Sequence, residues 1–331
     1  YWKQSNHTPS PYLLQKLRNY ESLHRRCGPN TELYNKSIEQ LKSNASTRPS
    51  ECNYVVWLES GGIGNRVISM VSTFLYALLN DKVFLLKLPD DFHGIFCEPF
   101  PGTSWILYSD FPIQDLDGFD ISHPQIYGNI RKNNLLRNDM DAAKHSLPPY
   151  LYLYLIRFAW LFLKSNRYYV PAFFLNSEYS EELSLLFPEK ATVFLYLRMV
   201  SQIINCSLTG NILPEKEQHT EKQSHNVKAL SEIYLLSFSD VLLTTTFSTF
   251  GYVAYGLGGV RPWLLLKPEN DVDPSCRQSL SAEPCFHFRY SYDCKTRKHV
   301  DKGALVPCVK HCEDFTWGVK VVDETLVIRR H

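Results

Sequence analysis

The segment "YVVWLESGGIGNRVISMVSTFLYALLNDKVFLLKL", residues 54–88, decides the fold of the first half of the chain. Two short apolar runs within it, "YVVWLE" (54–59) and "KVFLLKL" (82–88), are typical of buried strands. Residues 66–80, between them, have the apolar periodicity of a helix and follow a glycine-rich turn. A strand, a helix and a strand in this order predict a βαβ unit with parallel strands.

The glycine-rich turn is the first candidate binding element. Its three glycines permit positive φ and close backbone approach: Gly61, Gly62 and Gly64. The helix that follows points unpaired N–H groups at the turn, Arg66 adds a charge able to form forked hydrogen bonds, and Asn65 can donate to a polar ligand. Neither the dinucleotide fingerprint nor a Walker lysine is present. The same pattern also fits a plain strand-to-helix turn with a solvated arginine.

The last third of the chain repeats this order of elements. A helix, a strand, a turn with a helix, and a second strand are predicted at 227–240, 241–246, 248–259 and 261–267, respectively. Ser248 and Thr249 lie where the strand passes into the helix, so their hydroxyls either cap that helix or bind a diphosphate. Two such turns in one chain favour a ligand held between two α/β domains.

The rest of the chain is less patterned. Residues 1–50 are polar and are interpreted as a stem and lead-in with a possible helix at 11–26. The apolar run 150–164 is too short for a membrane span and carries Arg157, so it predicts a buried helix. A further helix is predicted at 179–187, and the polar stretch 207–226 is predicted to be a loop. The domain prediction is therefore a stem, an N-terminal α/β lobe and a C-terminal lobe with a cysteine-rich tail: 1–50, 51–190 and 191–331.

Composition indicates the compartment and excludes one class of partner. Nine cysteines, five of them in the last 56 residues, accompany four glycosylation sequons that begin at Asn6, Asn35, Asn44 and Asn205. This combination predicts a secretory lumen and disulfides in the tail, among Cys276, Cys285, Cys294, Cys308 and Cys312. The net charge of +1 gives no support for nucleic-acid binding. The chain starts at Tyr1, so we expect any membrane anchor to lie outside it.

The sequence gives little support for a metal site or for a Ser-His-Asp catalytic triad. Asp90, Asp91 and Asp110 lack a metal-binding arrangement, and no Gly-x-Ser-x-Gly elbow is present. Cys308, His311 and Cys312 have the composition of a zinc site, but disulfides are the better interpretation in a lumenal protein. His287 fits either a packed histidine or a ligand. We therefore predict no metal site.

Several long motifs resemble the plant xyloglucan fucosyltransferases. They span about 50–321 and include "GGIGNRVISMVSTFLYALLNDKVFLL", "FCEPFPGTSWIL", "TTFSTFGYVAYGLGG", "DPSCRQSLSAEPCF" and "HCEDFTWGVK". The resemblance implies an α/β enzyme with two lobes, a GT-B-like variant whose C-terminal lobe is Rossmann-like. It also implies an anchored Golgi protein that transfers L-fucose from GDP-fucose to galactose of a cell-wall glycan. By resemblance the linkage is α-1,2 and the reaction inverting, with no metal and no cofactor besides the donor.

The resemblance also assigns candidate site residues. The segment Ser248, Thr249, Phe250 and Gly251 matches a nucleotide-binding turn, and Gly62, Gly64, Asn65 and Arg66 face the same cleft from the N-terminal lobe. Arg198 corresponds to a family arginine that contacts the nucleotide. Glu181 and Glu182 are the candidates for a catalytic base, in a segment that departs from the family's Asp-rich version.

Two apparent deletions separate this chain from the family pattern. "KATVF" joins almost directly to Arg198, without the helix and most of the strand that family members carry, and a second gap follows "NILPE" (211–215). The sequence therefore leaves two functions open. One is a fucosyltransferase, and the other is a catalytically inactive relative that binds or scaffolds in the Golgi lumen.

Overall fold

The computed structural model describes residues 8–42, 51–92, 94–96, 98–113, 159–190, 193–194, 222–266, 274–287, 307–313 and 318–323. The helices are α1 (Pro11–Cys27), α2 (Glu32–Lys42), α3 (Ile63–Leu79), α4 (Val170–Phe174), α5 (Ser180–Leu186), α6 (Gln223–Leu236) and α7 (Thr249–Gly258). The strands are β1 (Tyr54–Leu58), β2 (Val83–Lys87), β3 (Trp160–Lys164), β4 (Leu243–Thr245), β5 (Trp263–Leu265), β6 (Cys276–Gln278), β7 (Val309–His311) and β8 (Val319–Val321). None of the helices in these ranges combines the length and the hydropathy needed to cross a membrane.

The first sheet confirms the βαβ unit predicted from residues 54–88. Its order is β2-β1-β3 and all its strands are parallel, with Tyr54 opposite both Val83 and Trp160. β1 is central and buried along its whole length, which explains its uninterrupted apolar sequence. Helix α3 crosses over from β1 to β2, so the turn at its start lies at the carboxyl end of the sheet.

The third strand of this sheet corrects the sequence analysis. A buried helix was the expectation for 150–164, but Trp160–Lys164 form β3, paired with β1 in parallel register. Residues 150–158 lie outside the described part of the chain. A short apolar run rich in aromatics fits a helix or a strand equally well by periodicity. The hydrogen-bonding edge offered by β1 decides in favour of the strand.

The outer edge of β2 is covered by α1, which confirms the helix predicted at 11–26. The Tyr20 hydroxyl accepts from the Phe84 N–H at 2.9 Å and donates to the Lys82 carbonyl oxygen at 2.9 Å. The His24 ring bonds to the Phe84 carbonyl oxygen at 3.2 Å through Nε2. Side chains thus replace a neighbouring strand along this part of the edge. Residues 11–27 therefore pack on the first sheet, although the sequence analysis assigns them to a stem.

The second βαβ unit is also confirmed. β4 and β5 are parallel and are joined through α7, while β6 adds an antiparallel edge. Helix α6 precedes this unit, as the segment 227–240 predicts, and it begins at Gln223, inside the stretch interpreted as a loop. The other predicted helix, at 179–187, corresponds to α5.

One face of the second sheet is open to solvent. Leu243, Trp263 and Leu265 are 57%, 39% and 41% exposed, whereas Leu264 between the last two is 3% exposed. Parallel strands normally carry cover on both faces. Here the buried Thr244 packs against Gly251 of α7, and the opposite face retains exposed apolar side chains.

Two disulfides hold the ends of the described fold. Cys285 is bonded to Cys312, which confirms a disulfide in the tail, and Cys276 carries a free thiol. Cys27 is bonded to Cys52, a pair that the sequence analysis does not predict, and it ties the end of α1 to the start of β1. Cys294 lies outside the described residues.

A continuous buried core joins the first sheet to helices α6 and α7 and to strands β7 and β8. It includes side chains on both sides of the boundary predicted at 190, among them Leu183, Phe194, Leu230, Tyr252 and Val319. The described parts of the two predicted lobes therefore share apolar packing.

Candidate functional site

The turn between β1 and α3 is shaped by its glycines. Gly61 has a φ of +79°, and a Cβ there would lie 2.6 Å from the Asn65 side-chain nitrogen, so a larger residue would be strained. Gly62 is the N-cap of α3 and supplies no side-chain hydrogen bond to the helix. The turn therefore brings the Asn65 amide over the backbone and leaves the first N–H groups of α3 without a side-chain cap.

Arg66 stabilises this turn. Its guanidinium pairs with Glu59 through Nε at 2.9 Å and with Asp91 through Nη1 at 2.8 Å, and Nε also donates to the Gly61 carbonyl oxygen at 2.8 Å. The group lies 4.7 Å from the centre of the Phe92 ring, and the side chain is 8% exposed. The sequence leaves two interpretations of Arg66 open, an arginine that binds an anion and a solvated arginine beside a plain turn. In the structure the Glu59 and Asp91 carboxylates already balance its charge, so Arg66 holds the turn in place.

Asp91 links Arg66 to helix α6. Its Oδ2 accepts from Arg66 and, at 2.7 Å, from the side-chain nitrogen of Asn226, which is 1% exposed. Asn226 is absent from the residues proposed from sequence. The only signal for it is its place near the start of the family-like segment "HNVKALSEIYLLSFSD" (225–240).

The second turn, between β4 and α7, has a capped helix start. Ser248 is the N-cap and accepts from the Gly251 N–H at 3.2 Å. Gly251 packs so closely on β4 that a Cβ would collide with the Thr244 hydroxyl. Phe247, just before the cap, has a φ of +59°, which is strained for a bulky residue and marks an imposed turn conformation. Helix capping by Ser248, one of the two sequence alternatives, is therefore present.

The two turns meet directly. A Cβ on Gly64 would lie 2.7 Å from the Thr249 Oγ1 and from its carbonyl carbon, and 2.8 Å from the Phe250 nitrogen. Only a glycine at position 64 lets the first turn of α3 contact the first turn of α7 at this distance. The structure thus brings together the residues that the sequence analysis proposed from opposite ends of the chain.

The proposed catalytic glutamates lie elsewhere. Glu182, on α5, accepts from the Tyr12 hydroxyl at 2.7 Å and pairs with Lys16 at 3.2 Å, both on α1. Glu181 precedes it on the same helix and is exposed. The contacts described for Glu182 join α5 to α1, and the Glu181 carbonyl oxygen accepts from the Ser184 hydroxyl within α5. Arg198 lies outside the described residues.

His287 is packed beside the second turn. Its ring is 3.9 Å from that of Phe247, centre to centre, and lies within hydrogen-bonding distance of the Tyr252 hydroxyl at 3.2 Å. The side chain is near the thiol positions of Cys285 and Cys312, but both sulfurs are used in a disulfide. Of its two sequence interpretations, a packed histidine therefore agrees with the structure, and this cluster is not available as a thiolate metal site.

A buried carboxyl group connects the tail to the core. Glu283, which is 0% exposed, accepts from the Tyr168 hydroxyl at 2.6 Å and from the Phe194 N–H at 2.7 Å. Burial raises the pKa of Glu283 to about 7, although both hydrogen bonds act in the opposite direction. Sequence reasoning missed this residue, because nothing in the pattern "SAEPCF" distinguishes a buried glutamate from an exposed one.

Comparison with known proteins finds matches over nearly the whole chain. The family model described as xyloglucan fucosyltransferase matches residues 1–202 and 209–295. A galactoside 2-alpha-L-fucosyltransferase of Arabidopsis thaliana is 35% identical over 445 residues, covering 97% of this chain and 79% of that protein. The protein of the same name from Pisum sativum is 34% identical over 438 residues, covering 95% and 76%.

A solved structure supports the same relationship. A mutant of Arabidopsis thaliana FUT1 in complex with GDP is similar to this chain with a TM-score of 0.82 and 34% identity, covering 97% of this chain and 94% of that one. The fold is therefore that of a GT-B-like α/β glycosyltransferase. The alignment with the first relative also contains long gaps: 97% of 331 residues is about 321, so roughly 120 of the 445 aligned positions have no residue here.

A family model that matches most of the chain, relatives of similar sequence over nearly its whole length and a shared three-dimensional structure lead to one assignment. The chain belongs to the xyloglucan fucosyltransferase family of glycosyltransferases.

Proposed function

We propose that this chain binds GDP-fucose and transfers L-fucose to a galactose of a plant cell-wall glycan, xyloglucan or a similar polymer, in α-1,2 linkage. The observation that carries the proposal is the contact of Gly64 with Thr249, which sets the N-termini of α3 and α7 side by side. The GDP in the similar FUT1 structure and the names of the relatives support the choice of donor.

The diphosphate is the part of the donor that these turns suit best. Each helix N-terminus carries a partial positive charge and N–H groups that point towards a bound anion. Gly62 leaves the start of α3 without a side-chain cap, and Ser248 and Thr249 add hydroxyls at the start of α7. Because negative charge accumulates on the departing GDP during transfer, these donors act where they lower the barrier most.

The proposed reaction is a single displacement with inversion. The 2-hydroxyl oxygen of galactose forms a bond to C1 of fucose, the bond from C1 to the diphosphate breaks, and its electron pair leaves with GDP. The proton of the hydroxyl passes to a base that we leave unassigned, since Glu182 is held by Tyr12 and Lys16 of α1 and Glu181 lies beside it on the same helix. We propose that the two helix ends and their hydroxyls balance the charge of the diphosphate without a metal ion.

We further propose that the protein works in the Golgi lumen, held there by an anchor outside this chain. The Cys27–Cys52 and Cys285–Cys312 bonds and the four sequons support an oxidising compartment of the secretory pathway. A thiol-mapping experiment on material secreted by plant cells tests this point. Both bonds should be intact, and finding all four cysteines reduced would contradict the proposal.

Binding of GDP is the direct test of the turns. Ser248→Ala and Thr249→Ala each remove one hydroxyl, and the loss of a hydrogen bond to a charged group costs about 1.5–3 kcal/mol, or ten- to a hundredfold in affinity. Calorimetric titration with GDP measures this, with Ser22→Ala on the exposed face of α1 as the matched control. If the wild type binds GDP and both variants bind it equally tightly, the turn serves only as a helix cap. GDP release with galactosylated acceptors, with and without a chelator, then tests transfer and its independence of metal.

A catalytically inactive relative is the second candidate, and two observations favour it. Roughly 120 positions of the alignment with the Arabidopsis relative have no residue in this chain, and the second sheet exposes Leu243, Trp263 and Leu265 on one face. We expect weak or no transfer by the chain as it stands, and recovery of activity and stability when family segments are inserted at 195–197 and 215–224. A rate equal to that of an intact relative without this repair would contradict the second candidate.

A further inference from the structure

Phe247, the residue before the N-cap of α7, has a backbone conformation that its residue type disfavours. Its φ of +59° lies in the left-handed region, where the Cβ atom is crowded against the backbone. In the described part of the chain the other non-glycine residues with positive φ are Asn30 and Asp81, whose residue types tolerate this region. Asparagine at position 247 would form the same turn with less strain, so the turn alone does not account for the phenyl ring.

Burial does not account for the ring either. Phe247 is 42% exposed, whereas Phe250, three residues further on, packs against the core. Leu243 and Leu265 are also exposed, but they lie on strands β4 and β5. Phe247 is therefore both strained and exposed, at the junction that suits the diphosphate. Backbone strain of this kind is concentrated at sites that bind ligands.

The tail of the chain supports this ring from one side. The centre of the His287 ring lies 3.9 Å from that of Phe247, with the two planes tilted by 36°. The His287 carbonyl oxygen accepts from Arg167 Nη1 at 2.6 Å, and Phe286 exchanges two backbone hydrogen bonds with Val319, at 2.7 and 3.0 Å. His287 is thus fixed on both sides of the main chain. A ring held in place before a ligand arrives loses less entropy on binding.

The parts of a nucleotide sugar differ in chemistry, and one of them suits a phenyl ring best. The diphosphate and the two sugars need charged or hydrogen-bonding groups, which a phenyl ring does not offer. Guanine has a flat aromatic face, and bases stack favourably on aromatic side chains. Because one ribose joins guanine to the diphosphate, the base must lie close to the start of α7 when the diphosphate lies there.

We propose that Phe247 stacks on the guanine of GDP, with His287 packed against the other face of the phenyl ring. The proposal rests on GDP as part of the donor, and it adds a residue that binds the nucleoside. In this arrangement the hydroxyls of Ser248 and Thr249 bind the diphosphate and Phe247 binds the base. The two contributions to affinity can therefore be measured separately.

The test is calorimetric titration of the full chain with GDP and with inorganic pyrophosphate, which has no base. Phe247→Asn removes the ring and tolerates the positive φ, and Phe247→Tyr keeps the ring. Trp263→Asn is the matched control, because this 39% exposed aromatic lies at the start of β5, at the opposite end of the sheet from the turn.

The ring should matter for the base alone. Phe247→Asn should weaken GDP binding by about tenfold, within the range for loss of one base stacked on an aromatic side chain, and leave pyrophosphate binding unchanged. Phe247→Tyr should retain most of the GDP affinity, and Trp263→Asn should retain all of it. In NMR spectra the guanine H8 resonance should shift upfield on binding to the wild type, because it lies over the ring, and shift less on binding to Phe247→Asn.

The readouts separate stacking from a purely structural role. Because Phe247→Asn relieves backbone strain, its urea midpoint should be no lower than that of the wild type. A lower midpoint with equal losses of GDP and pyrophosphate affinity would show that the ring only holds the turn, which overturns the proposal. If Phe247→Asn does not fold, Phe247→Leu, which keeps an apolar side chain without a ring, takes its place with the same expected losses.

The outcomes also distinguish this proposal from the proposed function. GDP affinity equal to that of the wild type in Phe247→Asn overturns the stacking and leaves the proposed function standing. A tenfold loss of GDP affinity in that variant, in a chain that transfers no fucose, supports the stacking and contradicts the transfer. A wild-type chain that binds no GDP overturns both.

Discussion

Gly64→Ala perturbs the contact between the first turns of α3 and α7, on which the proposed GDP site depends. Alanine in place of a glycine inside a helix usually stabilises a protein by about 0.5–1 kcal/mol. Here the added Cβ would lie 2.7 Å from the Thr249 carbonyl carbon and 2.8 Å from the Phe250 nitrogen, both backbone atoms that cannot rotate away. Overpacking of this kind costs about 1–3 kcal/mol, so the net expectation is a loss of about 1–2 kcal/mol in the free energy of unfolding.

The assay combines urea unfolding with GDP titration. Because the extra methyl group pushes the start of α3 away from α7, GDP affinity should fall by about tenfold, equivalent to about 1.4 kcal/mol. Gly256→Ala is the matched control, since its Cβ would lie 2.6 Å from the Phe194 ring, on α7 but away from the turns. It should lose stability and keep its GDP affinity. A Gly64→Ala variant that is more stable than the wild type and binds GDP equally well would refute the reasoning.

Three further changes have defined outcomes. Asp91→Ala leaves buried Arg66 with only one carboxylate, so thermal or urea unfolding should show a loss of about 3 kcal/mol, and a loss below 1 kcal/mol would contradict the bracing role. The pKa of Glu283 is about 7 in the folded protein against 4.5 in the unfolded chain, so the folded protein binds this proton more tightly. The contribution of Glu283 to the free energy of unfolding is therefore complete below pH 4.5 and falls by at most about 3 kcal/mol as the pH rises towards 7. Subtracting the stability profile of Glu283→Gln from that of the wild type should show this fall, and a flat difference would contradict it. Leu265→Ala should cost less than about 0.5 kcal/mol because the side chain is exposed, whereas Leu264→Ala should cost about 2–5 kcal/mol, and equal costs by urea unfolding would contradict the open face of the second sheet.

The parts of the fold that follow from local pattern were predictable. Both βαβ units follow from apolar strands flanking a turn and a periodic helix, and the order of elements fixes parallel pairing. The strand Trp160–Lys164 was not predictable, because only the free edge of β1 selects strand over helix for that run. The packing of Tyr20 and His24 on β2 was missed because a polar-looking helix gives no signal that its few apolar positions cover a sheet edge.

Some features of the candidate site were likewise predictable from the sequence, and others were not. Sequence reasoning found the two turns because glycines and hydroxyls at a strand-to-helix junction have a local physical meaning. It could not find the partners of Arg66, because Asp91 comes from after β2 and Asn226 from α6, far apart along the chain. Whether an arginine faces a ligand or two carboxylates is decided by tertiary structure alone.

The most direct measurement is a crystal structure of this chain with GDP. The diphosphate should lie at the junction of α3 and α7, with phosphate oxygens within hydrogen-bonding distance, about 2.7–3.2 Å, of the Ser248 or Thr249 hydroxyl or of the first N–H groups of α7. Arg66 should remain paired with Glu59 and Asp91. GDP bound away from both turns, with the contact between Gly64 and Thr249 unchanged, would contradict the account.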